Sequence, residues 1–178
     1  MKKCLIVVDY QNDFVDGSLG FDDAGAVEQA LCRKIEQYLE QGGDVVFTFD
    51  THDRAYLQTR EGRDLPVAHC IKDTDGWKLY GKAGAYLGRA AKAFEKKTFG
   101  SLELAEYLKQ TGYDQVEFVG VITNVCVLSN AVLAKAALPE AELIVDAACT
   151  AGPDRDLCEK TFDVLEGLYI RVLNRKNN

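Results

Sequence analysis

The chain has no CxxC pair, no block of lysine or arginine, no glycine-rich phosphate fingerprint and no apolar run long enough to cross a bilayer. Each absence removes a class of function. Without clustered basic residues, and with 21 Lys and Arg against 28 Asp and Glu for a net charge of −7, neither nucleic acid nor an anionic membrane surface is expected as a partner. No strand-like run is followed by G-x-G-x-x-G or G-x-x-x-x-G-K-[ST], so a nucleotide site has no support. The apolar run Cys4 to Val8 stops at Asp9 with no small-residue cleavage site behind it, which argues against a signal peptide and for a cytoplasmic protein. Histidine is also scarce: there are only two, His52 and His69.

What is present is ordinary globular material, 47% apolar and 28% charged over 178 residues, enough for one domain spanning 1–178. Six cysteines in a reducing compartment are expected to be core residues, ligands or nucleophiles rather than bridges. Short β-branched runs at Leu5–Val8, Asp44–Phe49, Val116–Val121, Leu143–Val145 and Tyr169–Leu173 are apolar on both sides, as strands covered on both faces should be. Helical stretches lie between them at about Ala24–Gln41, Glu103–Thr111, Val125–Ala137 and Leu157–Glu166, ended by glycine or proline. The rhythm predicts an α/β fold of three layers, α/β/α, around a mostly parallel sheet, with ligands gathering at the carboxyl ends of the strands. An irregular insertion at about 51–91 carries both histidines and the single tryptophan, Trp77.

Three residues stand at predicted strand ends. Asp9 directly follows Leu5–Val8, where a partly desolvated acid can act as a base or merely cap the next loop. Cys126 sits in GVITNVCV, a tight strand-to-helix turn in which Thr123 or Asn124 can cap the helix and the dipole favours thiolate, although cysteines are often simply buried. Lys96 closes the short approach Ala93-Phe94-Glu95, where it can hold a neighbouring group charged or be half of a solvated Lys-Lys pair. A fourth signal is the pair Asp50 and His52 after the second strand-like run, which an extended chain turns to one face. With Glu61 and His69 downstream they form a candidate set for Zn, or for Fe or Mn, against the plainer reading of polar surface groups.

With Asp9, Lys96 and Cys126 in that order, the chain resembles the isochorismatase-like cysteine hydrolases, and within them the nicotinamidases. The resemblance rests on VVDYQNDFVDGSL (Val7–Leu19) and GVITNVCVLSNA (Gly120–Ala131), with KKTFGSL (Lys96–Leu102), FDTHD (Phe49–Asp53) and LPVAHC (Leu65–Cys70) as looser matches. Phe99, Gly100 and Leu102 depart from the family's K-x-x-Y-S-A-F. The resemblance implies a Rossmann-like hydrolase fold and an amidohydrolase with Asp9, Lys96 and Cys126 as its triad. It further implies an oxyanion hole at the N–H groups of Ile122 and Cys126, a non-proline cis peptide at Val121-Ile122, and metal ligands Asp50, His52, Glu61 and His69. Phe14, Leu19 and Phe99 would wall a pyridine ring, and the substrate would be nicotinamide, in NAD salvage. Relatives of this kind often self-associate, so a homo-oligomer is also expected. Two alternatives remain at this point: a metal-independent cysteine amidohydrolase of the same superfamily for another small amide or carbamoyl compound, and a non-catalytic α/β binding module.

Overall fold

The computed structural model describes residues 1–175. Six strands form a single sheet, β1 (Lys3–Val8), β2 (Asp44–Asp50), β3 (Lys92–Lys96), β4 (Gln115–Val121), β5 (Glu142–Ala151) and β6 (Arg171–Leu173), in the order β3-β2-β1-β4-β5-β6. All its pairings are parallel. The helices are α1 (Asn12–Val15), α2 (Glu28–Glu40), α3 (Arg60–Asp64), α4 (Leu102–Thr111), α5 (Leu128–Ala137) and α6 (Arg155–Gly167). The strand order reverses between β1 and β4, so a crevice opens there at the carboxyl edge.

Alternation along β1 splits the core into two. Cys4, Ile6 and Val8 pack with residues of α4, α5 and α6, whereas Leu5 and Val7 face α2 and the 3₁₀ stretch Gly81–Arg89. This gives the three layers expected of a parallel sheet fed by right-handed crossovers. Local signals set the helix ends: the Ser101 hydroxyl accepts from Leu104 N at 3.0 Å, Asp154 accepts from Leu157 N at 2.9 Å, and Gly112 closes α4 in the left-handed region at φ 67°.

Several boundaries differ from those the sequence predicts. The stretch Ala24–Gln41 divides into a 3₁₀ turn, Gly25–Val27, followed by α2. Strand β5 runs well beyond Val145 to Ala151, through an irregularity in its pairing with β4; buried Asp146 is held there by Lys34 and Asn174, and Thr150 lies opposite Gly120. Strand β6 starts only at Arg171, since Tyr169 takes φ 59° and is exposed. The insertion is less irregular than its composition suggests. It holds the 3₁₀ turn Tyr56–Gln58, α3 and Gly81–Arg89, and is tied to the sheet edge by His52 N to Cys70 O at 3.0 Å and Lys72 N to His52 O at 2.9 Å.

One glycine is indispensable to the crevice. Gly120 has φ 107°, and a Cβ there would lie 2.1 Å from the Val8 carbonyl oxygen, so only glycine lets β4 close against the end of β1.

Candidate active site

Asp9, Asp50 and Lys96 end or follow β1, β2 and β3, three adjacent strands whose register sets Val8 beside Thr48 and Asp50 beside Lys96. Cys126 lies in a π-helical turn, Thr123–Val127, that leaves β4 on the other side of β1. Parallel strands thus deliver four chemically active side chains to one edge. All four are buried, and the exposure of Cys126 is only 4%.

Lysine 96 is the hub. Its Nζ lies 2.5 Å from Asp9 Oδ2, 3.5 Å from Cys126 Sγ, 3.4 Å from Asp50 Oδ1 and 3.1 Å from the Thr98 carbonyl oxygen. Burial alone would drive off its proton, but Asp9, Cys126 and Asp50 outweigh that and hold its pKa far above the lysine range. The ammonium therefore stays charged. Burial raises the Asp9 carboxyl, with Asp50 adding to the rise and Lys96 opposing it. Burial likewise pushes the Cys126 thiol well up against the pull of Lys96. Burial thus works against the thiolate that the dipole at the helix start favours, and Lys96 works for it. Thr123 and Asn124 do not cap the helix: both lie inside the π turn, whose first flanking residue, Ile122, offers no side-chain cap. The Val121-Ile122 peptide is cis, as the resemblance implies.

Asp50 joins this hub to a second cluster. Its Oδ2 is 3.1 Å from His52 Nε2 and 3.2 Å from His69 Nε2, and His52 Nε2 is 3.7 Å from Glu61 Oε1. One donor atom from each of Asp50, His52, Glu61 and His69 falls within 4.8 Å of the others. Hydrogen bonds from both histidines, together with Lys96, hold Asp50 well below the carboxylate range despite its burial. His69 Nδ1 stands 2.8 Å from the Val67 carbonyl oxygen, an acceptor that fixes a proton on Nδ1, so that Nε2 is the nitrogen that would turn its lone pair to a metal in place of its hydrogen bond to Asp50. Two imidazoles and two carboxylates converging in this way fit a divalent metal ion.

The apolar residues divide. Phe99 is exposed and lines a recess of about 830 Å³ together with His52, Tyr56, Glu61, Leu65 and Thr98. Phe14 is buried with its ring 5.6 Å from that of His69. Leu19 packs against the α2 side of the core, and neither it nor Phe14 is among the residues that line the recess.

Other residues of the site escaped the sequence reading. The Thr48 hydroxyl donates to Asp9 Oδ1 at 2.6 Å. Gln11 brackets Asp50, accepting from its N–H at 2.8 Å and donating to its carbonyl at 2.9 Å. Asp13 accepts from Cys70 N at 2.7 Å, beside His69. Tyr56 stacks its ring 4.5 Å from His52 and 4.9 Å from His69. The available signal was a polar residue inside an apolar pattern, as with Thr48 in VVFTF.

The Isochorismatase domain family matches residues 3–176. The chain belongs to the isochorismatase family. Among its relatives, the "Uncharacterized isochorismatase family protein PncA" of Bacillus subtilis is 34% identical over 143 residues, covering 74% of this chain and 78% of that one. The nicotinamidase/pyrazinamidase of Mycobacterium tuberculosis is 32% identical over 146 residues, with 72% and 76% covered. The crystal structure of the pyrazinamidase of Pyrococcus horikoshii, in complex with zinc, superposes with a TM-score of 0.85 at 24% identity, over 98% of this chain and 100% of that chain. That likeness establishes the isochorismatase-like fold of the present family member. Among its described residues no helix is long and apolar enough to cross a membrane.

Proposed function

We propose that this amidohydrolase of the isochorismatase family hydrolyses nicotinamide to nicotinate and ammonia through a cysteine thioester, in pyridine nucleotide salvage. One observation carries the reading: Lys96 Nζ touches Asp9, Cys126 and Asp50 at once, so a nucleophile, a base and a cluster of metal-ligand type share a single ammonium. The named nicotinamidase relative lends it further support.

In the proposed reaction Asp9 takes the Cys126 proton as Sγ attacks the carboxamide carbon, and Lys96 stays charged to balance the anion formed. The N–H groups of Ile122 and Cys126 receive the oxyanion. Asp9 returns the proton to the departing nitrogen, ammonia leaves, and a water then deprotonated by Asp9 splits the thioester. The raised proton affinities of Asp9 and Cys126 suit this relay, since the proton moves between two buried sites rather than into water. Asp50, His52, Glu61 and His69 would hold a divalent ion, zinc first among the metals that suit mixed imidazole and carboxylate donors, and it would supply Lewis acidity beside the substrate. Phe99 and Phe14 are the apolar walls of this reading, and the six unbridged thiols suit a cytoplasmic setting.

The decisive test is ammonia release from nicotinamide by purified protein and by Cys126→Ala. The variant should be folded and inactive; a wild-type protein that releases no ammonia from nicotinamide or pyrazinamide would sink the proposal. A second reading is hydrolysis of another small amide or carbamoyl compound without metal, for which His52→Ala would keep full activity; the recess has room for more than a pyridine ring.

A further inference from the structure

Asn130 lies on the first turn of α5, four residues after Cys126, and is 1% exposed. A buried carboxamide must spend its hydrogen-bonding capacity inside the protein, and where it spends it is informative. Its Nδ2 donates to the Cys126 carbonyl at 2.8 Å and to the Phe99 carbonyl at 3.0 Å, and its Oδ1 accepts from Ser101 N at 3.0 Å. All three partners are main-chain atoms. They belong to two segments that meet nowhere in sequence: the π turn carrying Cys126, and the 97–101 connection from β3 to α4.

That connection holds two parts of the site. Its Thr98 carbonyl accepts from Lys96 Nζ, and its Phe99 ring lines the recess. Gly100 lets it lie flat on α5, its missing Cβ facing Leu133 and Ser129. The main chain around Phe99 is therefore fastened to the helix that follows the nucleophile, through one side chain.

We infer that Asn130 is a positioning residue that sets the distance between the recess wall at Phe99 and the sulfur of Cys126, and so tunes substrate binding rather than the nucleophile itself. The inference rests on the proposed function for its choice of substrate. Asp9 is held by Thr48, Lys96 by its place in β3, and Cys126 by a π turn closed through Val125 N and Val127 N on the Ile122 carbonyl, so loss of the Asn130 link displaces the wall and leaves the triad assembled.

Two variants test it. Asn130→Asp keeps an acceptor for Ser101 but sets carboxylate oxygen against the Phe99 and Cys126 carbonyls. Asn130→Thr is milder: a helical threonine hydroxyl bonds the carbonyl four residues back, so the Cys126 contact survives while those to Phe99 and Ser101 are lost. For Asn130→Thr, KM for nicotinamide should rise about tenfold while kcat stays within about threefold, the pattern of lost uniform binding. The rate of Cys126 alkylation by iodoacetamide should not change. Phe99→Ala should raise KM as well, and in that background Asn130→Thr should add little, since contacting residues are not additive. An unchanged KM in the folded variant, additivity with Phe99→Ala, or a collapse of kcat and alkylation together would each overturn the inference. Hydrogen exchange at Ser101 N–H should quicken in Asn130→Thr whatever the substrate proves to be. Unaltered exchange refutes the link, whereas altered exchange in a protein inert toward nicotinamide refutes only the proposed substrate.

Discussion

Thr48 shows how one hydroxyl can govern a base. It is wholly buried and donates to Asp9 Oδ1, while Asp9 N–H in turn reaches the Thr48 carbonyl at 3.2 Å, so the carboxylate is held on its inner side and left free toward Lys96 and Cys126. Hydrogen bonds to an anion lower its pKa, so Thr48→Val removes an interaction opposing the rise that burial imposes on Asp9. The proposed mechanism needs Asp9 ionised. The acid limb of the kcat/KM profile should therefore move to higher pH, and kcat/KM at neutral pH should fall about tenfold. A circular dichroism spectrum like the parent's would show that the near-isosteric change spares the fold. The strand-end carboxylate, lysine and cysteine were legible in the sequence because an abrupt polar residue after an apolar run marks a sheet edge. Thr48 left only a faint mark, one polar residue within VVFTF, because threonine suits any strand, and Asn130 left none, because asparagine suits any helix surface. Their partners lie 39 residues away and 31 or fewer away respectively, and only the folded chain brings them together.

Between α2 and the sheet lies a second buried charge cluster, at the level of whole elements. Lys34 of α2 reaches Glu117 of β4 at 2.7 Å and Asp146 of β5 at 2.8 Å, and the Tyr38 hydroxyl donates to Glu117 at 2.7 Å. Burial would raise Asp146, but hydrogen bonds from Lys34 and Asn174 and the lysine charge win, so its pKa is lowered. A depressed carboxyl stabilises the fold above its unfolded value, about 3.9, and that contribution is lost as pH falls through the folded pKa. Lys34 is raised, so its share is complete below about 10.4 and fades only in strong alkali. Lys34→Met should strip two buried carboxylates of their counter-charge and cost about 3–5 kcal/mol in urea unfolding at pH 7. Its stability should rise from pH 7 to 5 more steeply than the parent's, as the two uncompensated carboxylates take up protons; an equal loss at both pH values would refute the assignment. Helix and strand cores were readable from periodicity. The extension of β5 was hidden because its buried Asp146 breaks the apolar pattern that announces a strand.

For the whole molecule, the proposed metal ties the insertion to the sheet, since Asp50 ends β2, His52 and Glu61 follow it and His69 comes back to it from the middle of the insertion. A ligand that binds only the folded state adds RT ln(1 + [L]/Kd), about 2.7 kcal/mol at a hundredfold excess over Kd. Chelation should lower the melting temperature and abolish ammonia release, and zinc should restore both. Glu61→Ala should weaken the restoration without unfolding the apoprotein, read by calorimetry. If chelator leaves melting and activity untouched, the four side chains form an ion-pair network and no more. His52 and His69 were visible as the sole histidines, clustered in one insertion. The participation of Glu61 depended on α3, a helix of five residues too short to leave a periodic trace.

The sheet order also sets a timetable for synthesis. Central strand β1 (Lys3–Val8) is synthesised before both of its neighbours and gains β2 (Asp44–Asp50) early, yet its other flank waits for β4, which begins only at Gln115. Until then the carboxylate after β1 faces no sulfur, and one edge of the nascent sheet stands open to stray pairing. On the proposed mechanism a chain stalled before residue 126 would lack its nucleophile, and its chemistry would switch on only once the segment that seals the flank is made.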